Sequence, residues 1–366
     1  MVADSLWLLT ARARGSQQWV ANTVCDVSSI EIHGRHYPVT LQTQNDWQTS
    51  YVVSPRSAWL RYARQEALRQ LSPPLAALAK PLSSLLLCPL AGLMSASRLD
   101  QAAQVANYMM STNLYQAWMP DEVRQLTEKL CATYPQRPLL IRNICAAVCP
   151  EIQQNLLRQG WEMIPARMIY TCDAQEKSVW KHNHVRQDAR LLHDGQVELI
   201  PHHAIRREDL APLRQVFRQL FIDKHSYLNP DFTDSFFELC LETQFLEFTG
   251  LRYQGRWAGI IGIYSHAASG WMTTPLIGYD TSLPQELGLY RRLMAILLGS
   301  ARDQQLKLHY SSGAGQFKRA RGGQPALEYS AVYTRHLPRP VHNAQRLFSR
   351  LLQQCAPAIL KRADGL

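Results

Sequence analysis

The polar run from Asp173 to Gly195, with few apolar residues at any period, is the feature that most limits what this chain can fold into. A segment of that kind supplies little core and reads as a linker. It divides the 366 residues into a first domain over 1–173, a linker over 174–195 and a second domain over 196–366. Each half lies in the roughly 100–200 residue range of one domain and is long enough to bury its own core. With 46% hydrophobic and 19% charged residues, and no repeats, the chain has the make-up of folded domains rather than of a disordered or fibrous protein. Its function must come from particular sites.

Strands and helices alternate in both halves. Ile30, Ile32, Tyr37, Val39 and Leu41 alternate about Gly34 as in a hairpin. Ser54 and Pro55 start a helix, because serine caps free amides and proline is tolerated at the first helical position. Further helices are expected from Pro120 to about Tyr134 and from Pro150 to Arg158, stopped by Gly160, with strands over 137–144 and 163–172. After the polar run, strands are expected over 197–204, 245–264, 270–280, 306–312 and 328–336, and helices over 208–221, 233–243, 284–304 and 343–360. This is an α/β (α+β) pattern, a mixed twisted sheet flanked by helices in each half.

Several classes are set aside. The longest apolar stretch, Leu85 to Met94, is interrupted by Pro89 and Gly92, whereas a span needs about 20 apolar residues; no transmembrane helix and no membrane partner are expected. The short apolar run Leu6 to Leu9 follows Asp4 and precedes Arg12 and Arg14, the reverse of a secretory signal, so a cytoplasmic location is expected. The eight cysteines are scattered, with Cys131, Cys240 and Cys355 inside apolar patterns, and read as reduced core residues. Cys145 and Cys149 lack the usual zinc spacing, and no metal is expected. Leu347, Phe348, Leu351, Leu352 and Cys355 form a stripe expected to pack as a terminal helix. The formal charge of +10 suits a phosphate-bearing partner, and equally suits solubility.

Two segments carry chemistry. Gln285-Glu286-Leu287-Gly288-Leu289-Tyr290 stands between a strand and the longest predicted helix. Glycine there lets the backbone approach a phosphate while free amides point at it; a capped helix with an incidental glycine is the plain alternative. The second segment runs Ser311-Ser-Gly-Ala-Gly-Gln-Phe-Lys-Arg-Ala-Arg-Gly-Gly-Gln-Pro325 and leads into a strand from Glu328 to Tyr333.

The first of these segments resembles the acetyltransferase loop that cradles a donor pyrophosphate, a Gln or Arg followed by Gly and a second small residue, with Tyr290 standing here where the small residue is usual. The second is similar to the signature of the FemABX-type acyltransferases: Phe317 and Lys318 match the Phe-Lys pair, and Gly322 or Gly323 the glycine after it. In the first half, the helix ending in Gly160-Trp161 and returning into a strand is similar to the last third of an acetyltransferase-like (GNAT) domain. The resemblance implies tandem GNAT domains, the second catalytic and the first a non-catalytic domain that walls one side of the cleft. It also implies an aminoacyl-tRNA co-substrate in place of a tightly held cofactor, and it includes the tRNA-dependent transferases of natural-product pathways, such as valanimycin seryl transferase.

On that reading the Lys318 ammonium stabilises the oxyanion formed when an amine attacks an aminoacyl ester. Asp280 and Glu328 are alternative bases if burial raises their pKa values; capping for Asp280 and an ion pair with Arg319 or Arg321 for Glu328 are the structural readings. Gln285, Gly288, Tyr290, Arg319 and Arg321 are placed at the donor. Arg335 and Arg339 extend the cationic mouth towards a tRNA acceptor end. Tyr227, Asn229, Ser311 and Ser312 are placed at a small-molecule amine or hydroxylamine acceptor, with an Asn-Pro turn as the plain reading of the first two. Arg206, Arg207, Arg214 and Arg218 meet phosphate or line a solvated surface. The competing functions are an acyl-CoA or carrier-protein-dependent N-acyltransferase and a non-catalytic RNA- or protein-binding module.

Overall fold

The computed structural model describes residues 2–44, 47–69 and 72–365. Its strands, in chain order, are β1 (Cys25–Ile32), β2 (Arg35–Gln42), β3 (Ala103–Val105), β4 (Leu139–Ile144), β5 (Glu162–Asp173), β6 (Glu198–Pro201), β7 (Glu247–Tyr253), β8 (Arg256–His266), β9 (Trp271–Tyr279), β10 (Lys307–His309) and β11 (Gln324–Tyr333). Its α-helices are α1 (Val2–Arg14), α2 (Ala63–Arg69), α3 (Pro73–Ala96), α4 (Pro120–Thr133), α5 (Pro150–Arg158), α6 (Asn183–Leu191), α7 (Leu210–Arg218), α8 (Asp234–Thr243), α9 (Leu289–Asp303), α10 (Gly315–Arg319) and α11 (Arg339–Ala363). Ser57–Tyr62 and Gln219–His225 are wound as π-helix.

These elements form two compact units. Unit 1 comprises Met1–Ala21, Leu114–Gln116 and Ile169–Ala326, and unit 2 comprises Asn22–Asn113, Ala117–Met168 and Leu327–Leu366. The division expected from the polar run is thereby corrected. Residues 174–195 are no linker: Val179 and Val185 are buried, and α6 packs on α9 within unit 1. The few apolar groups of this run sit on one side of short helical pieces, so its overall polarity hides a packed face. The chain instead passes between units after Ala21, on either side of Leu114–Gln116, and inside β5 and β11.

In unit 2, β1 and β2 form the expected hairpin, with Ile32 opposite Arg35. His33 and Gly34 take φ of 49° and 76°, the left-handed pair that a tight hairpin turn requires. β2 pairs antiparallel with β3, β3 parallel with β4, and β4 antiparallel with β11. Ser54 Oγ accepts from the Ser57 amide at the start of the helical segment anticipated there. Leu60, Met94, Leu99, Leu140, Ile164, Val332 and Phe348 form one core cluster.

In unit 1, β10 pairs antiparallel with β5 and parallel with β9, and β9, β8, β7 and β6 follow antiparallel. α9 lays Leu289, Leu293, Met294, Leu297, Leu298 and Ala301 into the core. α7 crosses β9 so closely that a Cβ on Gly278 would come within 2.4 Å of the Phe217 backbone. Both units therefore have the mixed sheet and flanking helices expected of the α/β (α+β) class.

Two apolar segments depart from expectation. Residues 85–94 belong to the 24-residue helix α3, in which Pro81 and Pro89 are accommodated. Its Ala77–Ala96 stretch is long and apolar enough to cross a membrane by length and composition, and only 6% of it is buried. Lys80 and the prolines break the apolar run in sequence without ending the helix, which is why the run reads as short. In α11 Phe348 is fully buried, but Leu347 and Leu351 are exposed, as is Cys355, so the stripe expected to pack does so on one edge only.

Candidate functional site

The start of α9 opens a cleft in unit 1. It is lined by Lys224, Tyr279, Asp280, Gln285, Gly288, Tyr290 and Arg291 among others, with a volume of about 200 Å³. Gly288 is the N-cap, at φ 59°, with no side chain to occupy the first-turn amides. A Cβ there would stand 2.9 Å from Leu191 Cδ1, so both conformation and space require glycine. Lys224 comes from the π-helical segment after α7. Three of the residues placed at the donor from sequence, Gln285, Gly288 and Tyr290, thus meet in one cleft with Asp280.

Asp280 is a turn cap. It accepts from the Ser282 amide at 2.9 Å and from Ser282 Oγ at 2.6 Å, which commits one carboxylate oxygen to the loop.

Lys318 is buried, with 3% of its surface exposed. After β10, Ser311, Gly313 and Ala314 take positive φ and turn the chain into α10. Lys318 reaches back across that turn: Nζ donates to the carbonyl oxygens of Ser312 at 2.7 Å and Ser311 at 3.3 Å, and lies 5.8 Å from the Tyr170 ring centroid. The Ser311 amide donates to His309 Nδ1 at 3.0 Å. Ser311 and Ser312, placed at the acceptor from sequence, serve the lysine through their backbone oxygens. A Cβ on Gly323 would come within 2.8 Å of the Lys318 carbonyl oxygen, so the second glycine of the motif lets β11 begin against this clamp.

Phe317 ties the two segments together. Its ring lies 4.8 Å from that of Tyr290, which in turn lies 6.1 Å from Tyr279. Burial, with Tyr279 beside it, pushes the Tyr290 phenol up to about 12, so Tyr290 is neutral at physiological pH. The Arg321 guanidinium lies over the Phe317 ring, 3.4 Å from its centroid, close enough for a cation–π contact.

The expected cationic mouth is corrected. Arg321 Nε pairs with buried Asp188 at 2.5 Å, and Arg291 Nε meets the other oxygen of the same carboxylate at 2.6 Å. Arg319 donates to the Tyr170 hydroxyl. Arg335 and Arg339 belong to unit 2. Within unit 1, Arg321 and Arg319 are thus engaged by Asp188 and Tyr170. Arg207, Arg214 and Arg218 pair with Glu238, Asp234 and Asp231, which likewise removes them from a bare phosphate-binding face.

Glu328 lies in unit 2, 1% exposed. It pairs with Arg167 at 2.6 Å and accepts from Asn143 Nδ2 at 3.0 Å. Asn229 is buried and donates to the Phe221 carbonyl oxygen at 2.6 Å, closing the loop after the π-helical segment, whereas Tyr227 is exposed. Cys145 and Cys149 are buried thiols, raised to about 11 and about 12 by burial. Sequence reasoning missed Asp188, Lys224, Arg291 and Tyr170. The one signal for Asp188 was its place three residues after Val185.

No protein-family model matches this sequence, and no curated protein matches it. Its fold is similar to that of FemX over 94% of this chain and 93% of FemX, at 9% identity and a TM-score of 0.52. L-PGS from Bacillus licheniformis matches 64% of this chain and 78% of its own, at 15% identity and a TM-score of 0.44. A GCN5-related N-acetyltransferase from Kribbella flavida matches 63% of this chain and 80% of its own, at 14% identity and a TM-score of 0.32. The chain has a FemX-like fold.

Proposed function

We propose that this protein is an aminoacyltransferase that moves an amino acid from aminoacyl-tRNA to the amine or hydroxylamine of a small molecule. The observation that carries this reading is the cleft at the start of α9, with Tyr290 seated between Tyr279 and Phe317 at its wall. Its volume of about 200 Å³ is below the roughly 300–1,000 Å³ of sites that enclose a whole drug-sized ligand. It suits the reactive end of a donor whose bulk stays outside. First-turn amides of α9 and the Lys224 ammonium supply positive potential for that end.

In the reaction the acceptor nitrogen attacks the ester carbonyl carbon, a C–N bond forms, the ester C–O bond breaks, and the amine proton passes to the departing ribose oxygen. The buried Lys318 acts as a positioning residue. By fixing the Ser311 and Ser312 carbonyls it shapes the turn that presents Phe317 to Tyr290. Cytoplasmic location, where charged tRNA is made, and a role in natural-product biosynthesis belong to the same proposal.

Incubation with a charged-tRNA pool and a panel of amines, with and without RNase, tests this: product that survives RNase treatment overturns it. A CoA-dependent N-acyltransferase is the second reading, favoured by the uncapped glycine start of α9. Saturable coenzyme A binding that protects the Gly288 region from hydrogen exchange would select it. A pure binding module would show RNA or protein binding and no transfer with any donor.

A further inference from the structure

The face of unit 2 built from α2, α3 and α11 is apolar and basic at once. Leu75, Leu78, Leu82 and Leu85 recur at spacings of three and four, which aligns them along one side of α3. They are 55, 74, 57 and 69% exposed. α11, which packs on α3, adds the exposed Leu347 and Ile359. The three helices together hold eight Lys and Arg residues and a single carboxylate, Glu66. Their net charge is therefore +7, against +10 for the whole chain.

We propose that this face binds the surface of an anionic lipid bilayer, the leucine side of α3 entering the headgroup boundary while the surrounding cations meet lipid phosphate. Charge decides between a bilayer and a second copy of the chain. In a two-fold pairing identical surfaces meet, so two net-basic faces would be brought together, with Glu66 already paired with Arg69 and Glu162 with Arg346; an anionic surface removes that repulsion.

Packing decides between lying on the membrane and crossing it. Met94 is completely buried, and Leu87, Leu90 and Leu93 pack against the same unit 2 core cluster. Arg64 donates to the Lys80 carbonyl oxygen at 2.7 Å and to Ser83 Oγ at 2.9 Å. A spanning α3 would drag Lys80 and this guanidinium into hydrocarbon, at a cost of several kcal/mol. A helix held along one side presents only its other side, which is what an interfacial helix needs. The inference does not depend on the transfer reaction.

Flotation of the full chain with phosphatidylcholine vesicles, and with vesicles carrying about one third phosphatidylglycerol, tests it. The expected result is binding to the anionic vesicles, at least about tenfold weaker on neutral lipid and reduced by added salt. Leu78→Asp with Leu82→Asp should weaken binding at least about tenfold. Arg350→Gln with Lys361→Gln, both at exposed positions, should weaken it about tenfold or more with the melting temperature unchanged. The proposal is overturned if neither vesicle binds, or if the double leucine variant binds as well as the parent. It is also overturned if those leucine changes abolish a lipid-free dimer while vesicles go unbound, an outcome that assigns the stripe to a second copy.

Discussion

The Lys318 ammonium lies 2.7 Å from the Ser312 carbonyl oxygen, and 3.3 Å from that of Ser311, so this lysine closes the turn between β10 and α10. Hydrogen bonds to a charged group contribute roughly 1.5–3 kcal/mol each, and a buried carbonyl left without its donor adds to the loss. Lys318→Met is expected to lower the unfolding free energy by about 2–4 kcal/mol and to abolish transfer, because Phe317 loses its fixed approach to Tyr290. Urea denaturation beside a turnover assay checks both. Turnover lost with stability intact would place the lysine on substrate instead of on the turn.

Glu328 offers the opposite contrast. As a base it would control a pH–rate profile; as the partner of Arg167 it holds a buried charge in unit 2. Removing one member of such a pair costs about 3–5 kcal/mol, because the other charge remains buried and unpaired. Glu328→Gln is expected to be destabilised by about 3 kcal/mol, with the pH dependence of residual transfer unchanged. A shifted pH profile in a stable variant would count for the base.

The elements most legible in the sequence were those whose signal is local. The hairpin about Gly34, the Ser54 cap and the stop at Gly160 each depend on a few adjacent residues, and each is found where expected. The meeting of Gln285, Gly288, Tyr290 and Asp280 was also within reach, because a strand, a turn and a helix follow one another there. What the sequence hid were partnerships across many residues. Asp188 sits in a run that looks like linker, yet it neutralises Arg291 and Arg321 from more than a hundred positions away. Likewise the passage between units inside β5 and β11 leaves no mark on composition, since a strand reads the same whichever core receives each half.

Gly288 tests the cleft directly. Alanine there must hold φ near +59° and push on Leu191, a combined cost of order 1–3 kcal/mol. Gly288→Ala is therefore expected to raise the donor KM several-fold, with a melting temperature a few degrees lower. Steady-state kinetics at varied donor concentration reads the first and a thermal melt the second. An unchanged KM in a folded variant would remove the start of α9 from the donor site.

Two half-buried histidines give the fold a definite response to acid. Burial lowers the pKa of His266 in unit 1 and of His336 in unit 2. The Nδ1 atom of each is buried and has no hydrogen-bond partner among the described residues. For His336 the other ring nitrogen meets the Arg137 carbonyl oxygen at 3.1 Å, so Nε2 carries the proton; burial lowers the pKa, and the Arg137 and Tyr134 backbone carbonyls oppose it in part. A folded pKa below the unfolded value, near 6.5, means that the unfolded chain binds more protons in the window between them, so stability rises with pH across that window. Stability from these groups is complete above about pH 6.5 and falls as the pH drops towards their folded values, by at most about 1.4 kcal/mol per histidine for each unit. Urea melts between about pH 7.5 and pH 5 are expected to show this decline, and His266→Gln with His336→Gln to flatten it. Stability that climbs on acidification through that range, or an equal decline in the double variant, would show that these two rings are not held neutral by the fold.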